Sequence, residues 1–203
     1  MTFPWSKKPS PEIAHRIPPG QVLTEKFPIL HFGKVPDYGG LSGWDFKVWG
    51  EVDEPFSLRW AEFRALPATE VTQDIHCVTR WSKLDTAWEG VSFRHMAEVA
   101  AVRPAARFVI FHAESGFSSN VPLEVAMSDA CLLAWSYDGK PLEAEHGFPL
   151  RAIVPGKYFW KSAKWLRGIE FSAGDQPGFW ERNGYNNSAD PWKEERYARD
   201  TAW

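Results

Sequence analysis

The sequence predicts a single mixed α+β domain, rich in strands. Three observations carry this. A chain of 203 residues is long enough to remove most of its apolar surface from water around one core. Its period-2 stretches alternate with short helical patterns, without the regular long crossovers of a doubly wound parallel sheet. No internal repeat or low-complexity tract interrupts them.

Taken in order, Trp44-Asp45-Phe46-Lys47-Val48 alternates apolar with polar and continues to Val52, a half-buried strand closed by Asp53-Glu54-Pro55. Ser57 is expected to cap a short helix with Trp60, Ala61 and Phe63 inward and Pro67 as its stop. Thr69 to Val78 alternates again, so Val71, Gln73, Ile75 and Cys77 share one strand face, and Cys77 stands at the strand's end. Ser92 caps a second helix whose apolar spacing is Phe93, Met96, Val99 and Ala100. Phe108 to His112 is a strand leading into a loop, Leu123 to Met127 a turn or two of helix, and Cys131 to Trp135 a continuous apolar strand. Asp138-Gly139 then signals a hairpin. Phe148 to Val154 and Lys164 to Phe171 complete the strands.

Residues 1–25, with repeated prolines, read as a mobile arm, 26–175 as the domain proper, and 176–203 as a segment of the same domain that wraps its surface. A net charge of −3 leaves no global basic field, which argues against nucleic acid as a partner. No run approaches the roughly 18 apolar residues of a spanning helix, so no membrane insertion is expected. The N-terminus shows neither an apolar signal core nor a twin arginine, and two cysteines make no disulfide framework. A cytoplasmic location is the expectation. The twelve tryptophans need explaining. Trp44, Trp49, Trp60, Trp135 and Trp165 sit in periodic elements and read as core, whereas Trp81, Trp88, Trp160 and Trp180 lie in or beside loops, where aromatic walls would line a pocket.

Three stretches carry candidate chemistry. In Cys77-Val-Thr-Arg80-Trp-Ser82, Cys77 is either a small core residue or a thiolate, activated by Arg80, acting as soft-metal ligand or nucleophile. Cys131, inside an apolar run, reads as core. In the second stretch, from Glu145-His146 through Arg151 to Lys164, cations, backbone N–H groups and the Ser162 hydroxyl either converge on one anion or form a solvated basic loop. Tyr185, in a glycine-bearing loop after Trp180, is either a core-edge ring or a phenol offered to substrate. A zinc site from His76, Cys77 and His112 is disfavoured, because adjacent strand residues point to opposite faces.

From about His31 to Tyr185 these segments resemble the molybdopterin-binding domain of the sulfite oxidase family. His146-Gly-Phe-Pro-Leu-Arg151, Val154-Pro-Gly and Lys164-Trp-Leu are similar to that family's His-Gly-Phe-Pro-Val-Arg, Val-Pro-Gly and Lys-Trp-Leu at equal spacing. Cys77-Val-x-x-Trp-Ser82 with Trp88-x-Gly90 is similar to the cysteine segment of the bacterial molybdenum reductases that repair methionine sulfoxide. The resemblance implies that family's fold and a molybdenum-molybdopterin cofactor with Cys77 as metal ligand. It further implies pterin contacts from His146, Arg151, Ser162, Ala163 and Lys164, with His31 and Glu114 near two other family contacts. Tyr185 aligns with the active-site tyrosine, and Arg80 is expected to add positive charge beside the metal. The implied reaction is oxygen-atom transfer, or two-electron redox, at a small S- or N-oxide or oxyanion. The family's arginine cluster for sulfite is replaced by Arg80-Trp81-Ser82 and Leu30-His31, which argues against sulfite itself. Neither a haem domain nor the family's dimerisation domain fits in the remaining residues, so a separate electron-transfer protein is expected as partner. The alternative is a non-enzymatic, tryptophan-rich binding module.

Overall fold

The structure, a computed structural model, describes residues 9–200. The part of the expected arm before residue 9 lies outside the described residues. Two mixed sheets face each other across one large core. The first is built on the long β5 (Trp81–Ser92), flanked by β4 (Thr69–His76), by the short parallel β1 (Val22–Leu23), and by β8 (Leu132–Tyr137), which continues to β10 (Arg151–Ile153) and to the two-residue β9 (Lys140–Pro141). The second runs β3 (Phe56–Arg59), β2 (Asp45–Gly50), β11 (Leu166–Ser172), β6 (Phe108–Ala113), β7 (Ser118–Pro122), with β11 parallel to β2 and antiparallel to β6. Among the described residues four short α-helices lie in the connections: α1 (Trp60–Arg64), α2 (Phe93–Val99), α3 (Leu123–Ala126) and α4 (Phe179–Arg182).

Phe46 and Val48 from β2, Phe111 from β6 and Ile169 from β11 meet Val91 from β5 and Leu133 and Trp135 from β8 in that core, with Phe93 and Met96 of α2 sealing it. Strand β8 is buried on both faces, because Leu132 and Ala134 enter a second cluster with Trp88 and Ile153. Its continuous apolar run follows from that double burial. Asp138 and Gly139 both adopt positive φ, which a primed turn requires, and close the β8–β9 hairpin. Ser92 Oγ accepts the His95 backbone N–H as the expected cap of α2.

Several expectations are corrected. Ser57 lies inside β3 and pairs with Lys47. The cap position of α1 falls instead to Arg59, whose N–H donates to Glu62, and only Phe63 of that helix is buried. Trp81 and Trp88 are not loop residues but belong to β5, a strand whose alternation is broken by a register shift at Glu89/Gly90. A Cβ at Gly90 would stand 2.1 Å from the Leu133 carbonyl oxygen, so only glycine allows that close crossing. From Arg16 onward the expected arm is docked: the Arg16 guanidinium bonds Asp74 and Asp85, Gln21 donates to the Cys77 carbonyl, and β1 extends the sheet. The C-terminal segment returns through α4 and an isolated bridge between Tyr185 and Tyr197.

Candidate active site

Strand β4 ends at His76, and Cys77 is the first residue past it. The Cys77 N–H still donates to the Trp81 carbonyl at 2.8 Å, and the Arg80 N–H closes the turn on the Cys77 carbonyl at 3.0 Å. Arg80 takes φ 74°, and its side chain leaves the turn towards Glu194, 3.9 Å away, and solvent. It is therefore not part of the cavity around Cys77, contrary to the sequence expectation; the positive φ turns the chain after Thr79. The Cys77 thiol is buried against Ile75 and Trp81, with its sulfur 3.2 Å from the Thr79 hydroxyl. Burial pushes its pKa up, opposed by the Thr79 hydrogen bond and by the charges of Arg196 and Lys164.

Cys77 opens onto a cavity of about 310 Å³. Of the ten sequence-predicted site residues, the cavity walls hold eight: His31, Cys77, Glu114, Arg151, Ser162, Ala163, Lys164 and Tyr185. His146 stands just behind the wall, its ring stacked on Phe27 at 4.0 Å and its carbonyl accepting from Arg151 at 2.8 Å. Burial, followed by the charges of Lys164 and Arg151, lowers its pKa to about 4, so the ring is neutral at neutral pH. Gly147, at φ 114°, lets the chain turn where a Cβ would sit 3.1 Å from the Arg151 Cβ and 3.3 Å from that of Lys164. This glycine brings the two cations together.

Arg151 is wholly buried. Its guanidinium donates to the carbonyls of His146 and Ser162 and lies over the Phe159 ring. Lys164 Nζ donates to the carbonyls of Leu30 and Glu145. Among the described residues, neither has a carboxylate within ion-pair distance. Burial lowers the pKa of Arg151 to about 9, and burial together with Arg151 lowers that of Lys164 to about 7. A cationic pair without a counter-charge favours an anion. The Ser162 hydroxyl accepts the Val154 N–H at 2.9 Å and keeps its own proton to donate.

The opposite wall is aromatic: Phe32, Phe117, Trp160, Trp180 and Tyr185. Trp160 lies edge-on to Tyr185 at 5.0 Å, and Trp180 against it at 4.8 Å. Of the four tryptophans expected at a pocket, Trp81, Trp160 and Trp180 line it, whereas Trp88 packs in the second core cluster. Trp165, expected as pure core, also lines it. At the rim, His31 bonds the Gly33 carbonyl, and the Glu114 carboxylate is held by Arg167, which also grips Asp45. Sequence reading missed Phe27, Phe32, Thr79, Phe117 and Trp165 as wall residues. Only Thr79 carried a local signal, a hydroxyl two positions from the cysteine. Among the described residues there is no group of three or more His, Cys, Asp or Glu that could hold a metal ion. No helix among them is long and apolar enough to cross a membrane.

Comparison with known proteins identifies the family. The family model described as "Oxidoreductase molybdopterin binding domain" matches residues 32–180. An uncharacterised oxidoreductase, YuiH, of Bacillus subtilis is 49% identical over 91% of this chain and 93% of its own length. The sulfite oxidase of Arabidopsis thaliana is 27% identical over 75% of this chain and 48% of its own length, so the chain spans about half of that relative. Among solved structures, the sulfane dehydrogenase SoxCD of Paracoccus pantotrophus shares the fold with a TM-score of 0.62 at 20% identity, over 71% of this chain and 41% of that one. The chain belongs to the oxidoreductase molybdopterin-binding domain family, and is a sulfite oxidase-like, molybdopterin-dependent oxidoreductase with a molybdenum-molybdopterin cofactor.

Proposed function

We propose that this enzyme catalyses oxygen-atom transfer at a small, neutral S- or N-oxide, with electrons exchanged with a separate redox protein. One observation carries the reading: the buried Cys77 and the uncompensated Arg151–Lys164 pair share one cavity, whose other wall is aromatic. The substrate side lacks the arginine cluster a sulfite dianion calls for, since Arg80 faces Glu194 and solvent. A dipolar S–O group among aromatic rings suits that wall. The sulfite oxidase named above, a relative by sequence, also points to sulfur chemistry.

The residues fit the cofactor on their own chemistry. Arg151 Nε and His146 Nδ1 are buried without a hydrogen-bond partner, the two cations lack a counter-anion, and a thiol is the soft ligand the metal favours. When bound, the molybdenum-pterin supplies the two-electron oxygen-atom-transfer chemistry. Cys77 would hold the metal. Arg151, Lys164 and the Ser162 hydroxyl would hold the phosphate, the small Ala163 would leave room beside it, and His146, neutral, would offer a ring nitrogen to the pterin. Tyr185 keeps its phenolic proton at neutral pH, because burial and its neighbours Tyr197 and Cys77 push its pKa up. It can donate that proton in a hydrogen bond to substrate oxygen. The aromatic wall excludes bulk water. His31 and Glu114 shape the rim.

The test is metal and pterin analysis of protein from a pterin-competent host, followed by reduction of dimethyl sulfoxide or methionine sulfoxide with a reduced viologen. Equimolar molybdenum and pterin with S-oxide turnover is expected. Loaded enzyme that ignores S- and N-oxides yet oxidises sulfite would overturn the substrate assignment. The binding-module alternative has no support in the family match. The cytoplasmic location stays a proposal, motivated by two unpaired cysteines and tested by cell fractionation.

A further inference from the structure

The turn that carries Cys77 is held at three of its carbonyls by distant parts of the chain. Gln21 Nε2 donates to the Cys77 carbonyl at 3.1 Å, Arg196 to that of Val78 at 2.7 Å, and the Val22 N–H to that of Arg80 at 2.9 Å. Within the turn, the Arg80 N–H returns to the Cys77 carbonyl at 3.0 Å. Gln21 and Val22 belong to the docked N-terminal segment and Arg196 to the returning C-terminal one. The backbone under Thr79 is therefore fixed from both ends of the molecule, and β-branching restricts the threonine side chain further.

Where that side chain ends is the second observation. Thr79 lines the cavity and is exposed, so its hydroxyl is not part of the core. Cys77 packs with Ile75 and Trp81 in an apolar cluster that Phe27 and Phe159 border. The Thr79 hydroxyl, 3.2 Å from the Cys77 sulfur, makes the only side-chain hydrogen bond to that sulfur among the described residues, and has no other partner among them. Between a thiol and a hydroxyl either group can donate. A cysteine that binds a metal has given up its proton, which leaves the hydroxyl as donor and the sulfur as acceptor.

We infer that Thr79 is a positioning residue of the redox centre, acting through Cys77: its hydroxyl donates to the Cys77 thiolate and raises the reduction potential of the molybdenum. The inference rests on the proposed role of Cys77 as metal ligand. A hydrogen bond draws charge from the sulfur, which then donates less to the metal. Lower oxidation states gain relative to higher ones, and the potential rises. The apolar cluster strengthens the effect, since a low local dielectric screens the bond little.

The test uses holoenzyme and needs no substrate. Thr79→Val deletes the hydroxyl and keeps the shape, whereas Thr79→Ser keeps the hydroxyl. Titration with dithionite and mediators, followed by the Mo(V) EPR signal, reads the Mo(VI)/Mo(V) ratio at each potential. At the wild-type midpoint the Val variant should show a ratio at least about threefold higher, a midpoint lower by about 28 mV at about 59 mV per tenfold for one electron. Its molybdenum content should not fall, and Thr79→Ser should return the ratio to the wild-type side of that threshold. A Val variant shifted by less than about threefold overturns the inference, as does a Ser variant shifted as far as Val. An unshifted potential with a raised KM for dimethyl sulfoxide would place the hydroxyl on the substrate instead. Thr79→Ala is measured beside Val, and loss of molybdenum from both would mean that the hydroxyl retains the cofactor rather than tunes it, which also overturns the inference. Cys77→Ser separates the two readings. If its Mo(V) g-values equal those of wild type, the ligand role fails and the inference falls with it; if they move while the Val potential does not, the inference alone fails.

Discussion

Glu181 on α4 lies against Lys161, with Nζ and Oε1 2.5 Å apart and side chains only 1% and 2% exposed. Lys161 also donates to Asn120 Oδ1 at 3.0 Å, and the Trp160 indole N–H donates to the same Glu181 oxygen at 2.8 Å. The pair therefore fastens the C-terminal segment bearing Trp180 and Tyr185 to the segment bearing Trp160, Ser162 and Lys164. Burial already pulls the Lys161 pKa down, and Glu181 is the main group opposing it. Glu181→Gln leaves the ammonium sealed from water with neutral acceptors only. Breaking one side of a buried pair costs about 3–5 kcal/mol, against a total stability of about 5–15 kcal/mol for a domain. At about 2–4 °C per kcal/mol for a chain of this size, the thermal midpoint should fall by about 6–20 °C. Lys161→Met combined with Glu181→Gln removes the stranded charge while keeping an acceptor for the indole, and should recover most of the loss. Differential scanning calorimetry of the cofactor-free proteins reads both. A single variant within about 1 kcal/mol of wild type, or a double variant as unstable as the sum of its singles, would refute the reasoning.

Four further outcomes follow from the site. Cys77→Ser should retain pterin while turnover falls at least about 100-fold, since loss of an outer-shell metal partner alone costs about 10–100-fold; activity near wild type with full metal content removes the ligand role. Tyr185→Phe should leave cofactor content intact and lower kcat by about 100-fold, the scale for deleting one donor to developing charge; unchanged steady-state kinetics exclude that phenol from the reaction. Lys164→Met removes a charged donor worth about 1.5–3 kcal/mol and should weaken pterin retention by about 10–100-fold, measured as pterin fluorescence released on dilution; equal retention would detach Lys164 from the phosphate. For pH, His146 is held near 4 in the folded, cofactor-free chain against 6.5 unfolded, among Lys164, Arg151, Glu145 and Glu143. The unfolded chain binds the proton more readily between those values, so His146 stabilises fully above about 6.5 and its contribution is lost as pH falls towards 4. Urea midpoints at neutral pH and near pH 5 should show the fall, and His146→Gln should lessen it; identical slopes would refute the assignment.

What was legible in the sequence follows from where each residue's partner lies. The Asp138-Gly139 turn and the Ser92 cap are local chemistry, bonded within a few residues, and both stand where the pattern predicts them. The apolar run of β8 needs only two faces of core. Strand β5 was missed because its buried polar residues look like loop. Ser82 is satisfied by His76 on the neighbouring strand, and Thr86 donates to the Gln73 carbonyl while accepting the Trp88 indole N–H. Asp85 at φ 54° and the shift at Gly90 break the period further. Strand β7 fails in the same way: Asn120 is buried only because Lys161, Gly178 and Asp175 converge on it from 41 to 58 residues away. Arg80 is the converse, a cation that adjacency in sequence puts beside Cys77 and one positive φ turns away. By contrast, the convergence of Arg151 and Lys164 was one of two readings the sequence left open, and the glycine that brings them together belongs to the same short segment as Arg151. Buried polar groups are costly unless paired. A sequence therefore discloses such groups only when the pairing is local, and here the buried polar residues of β5 and β7 stay illegible because their partners lie on another strand or far along the chain.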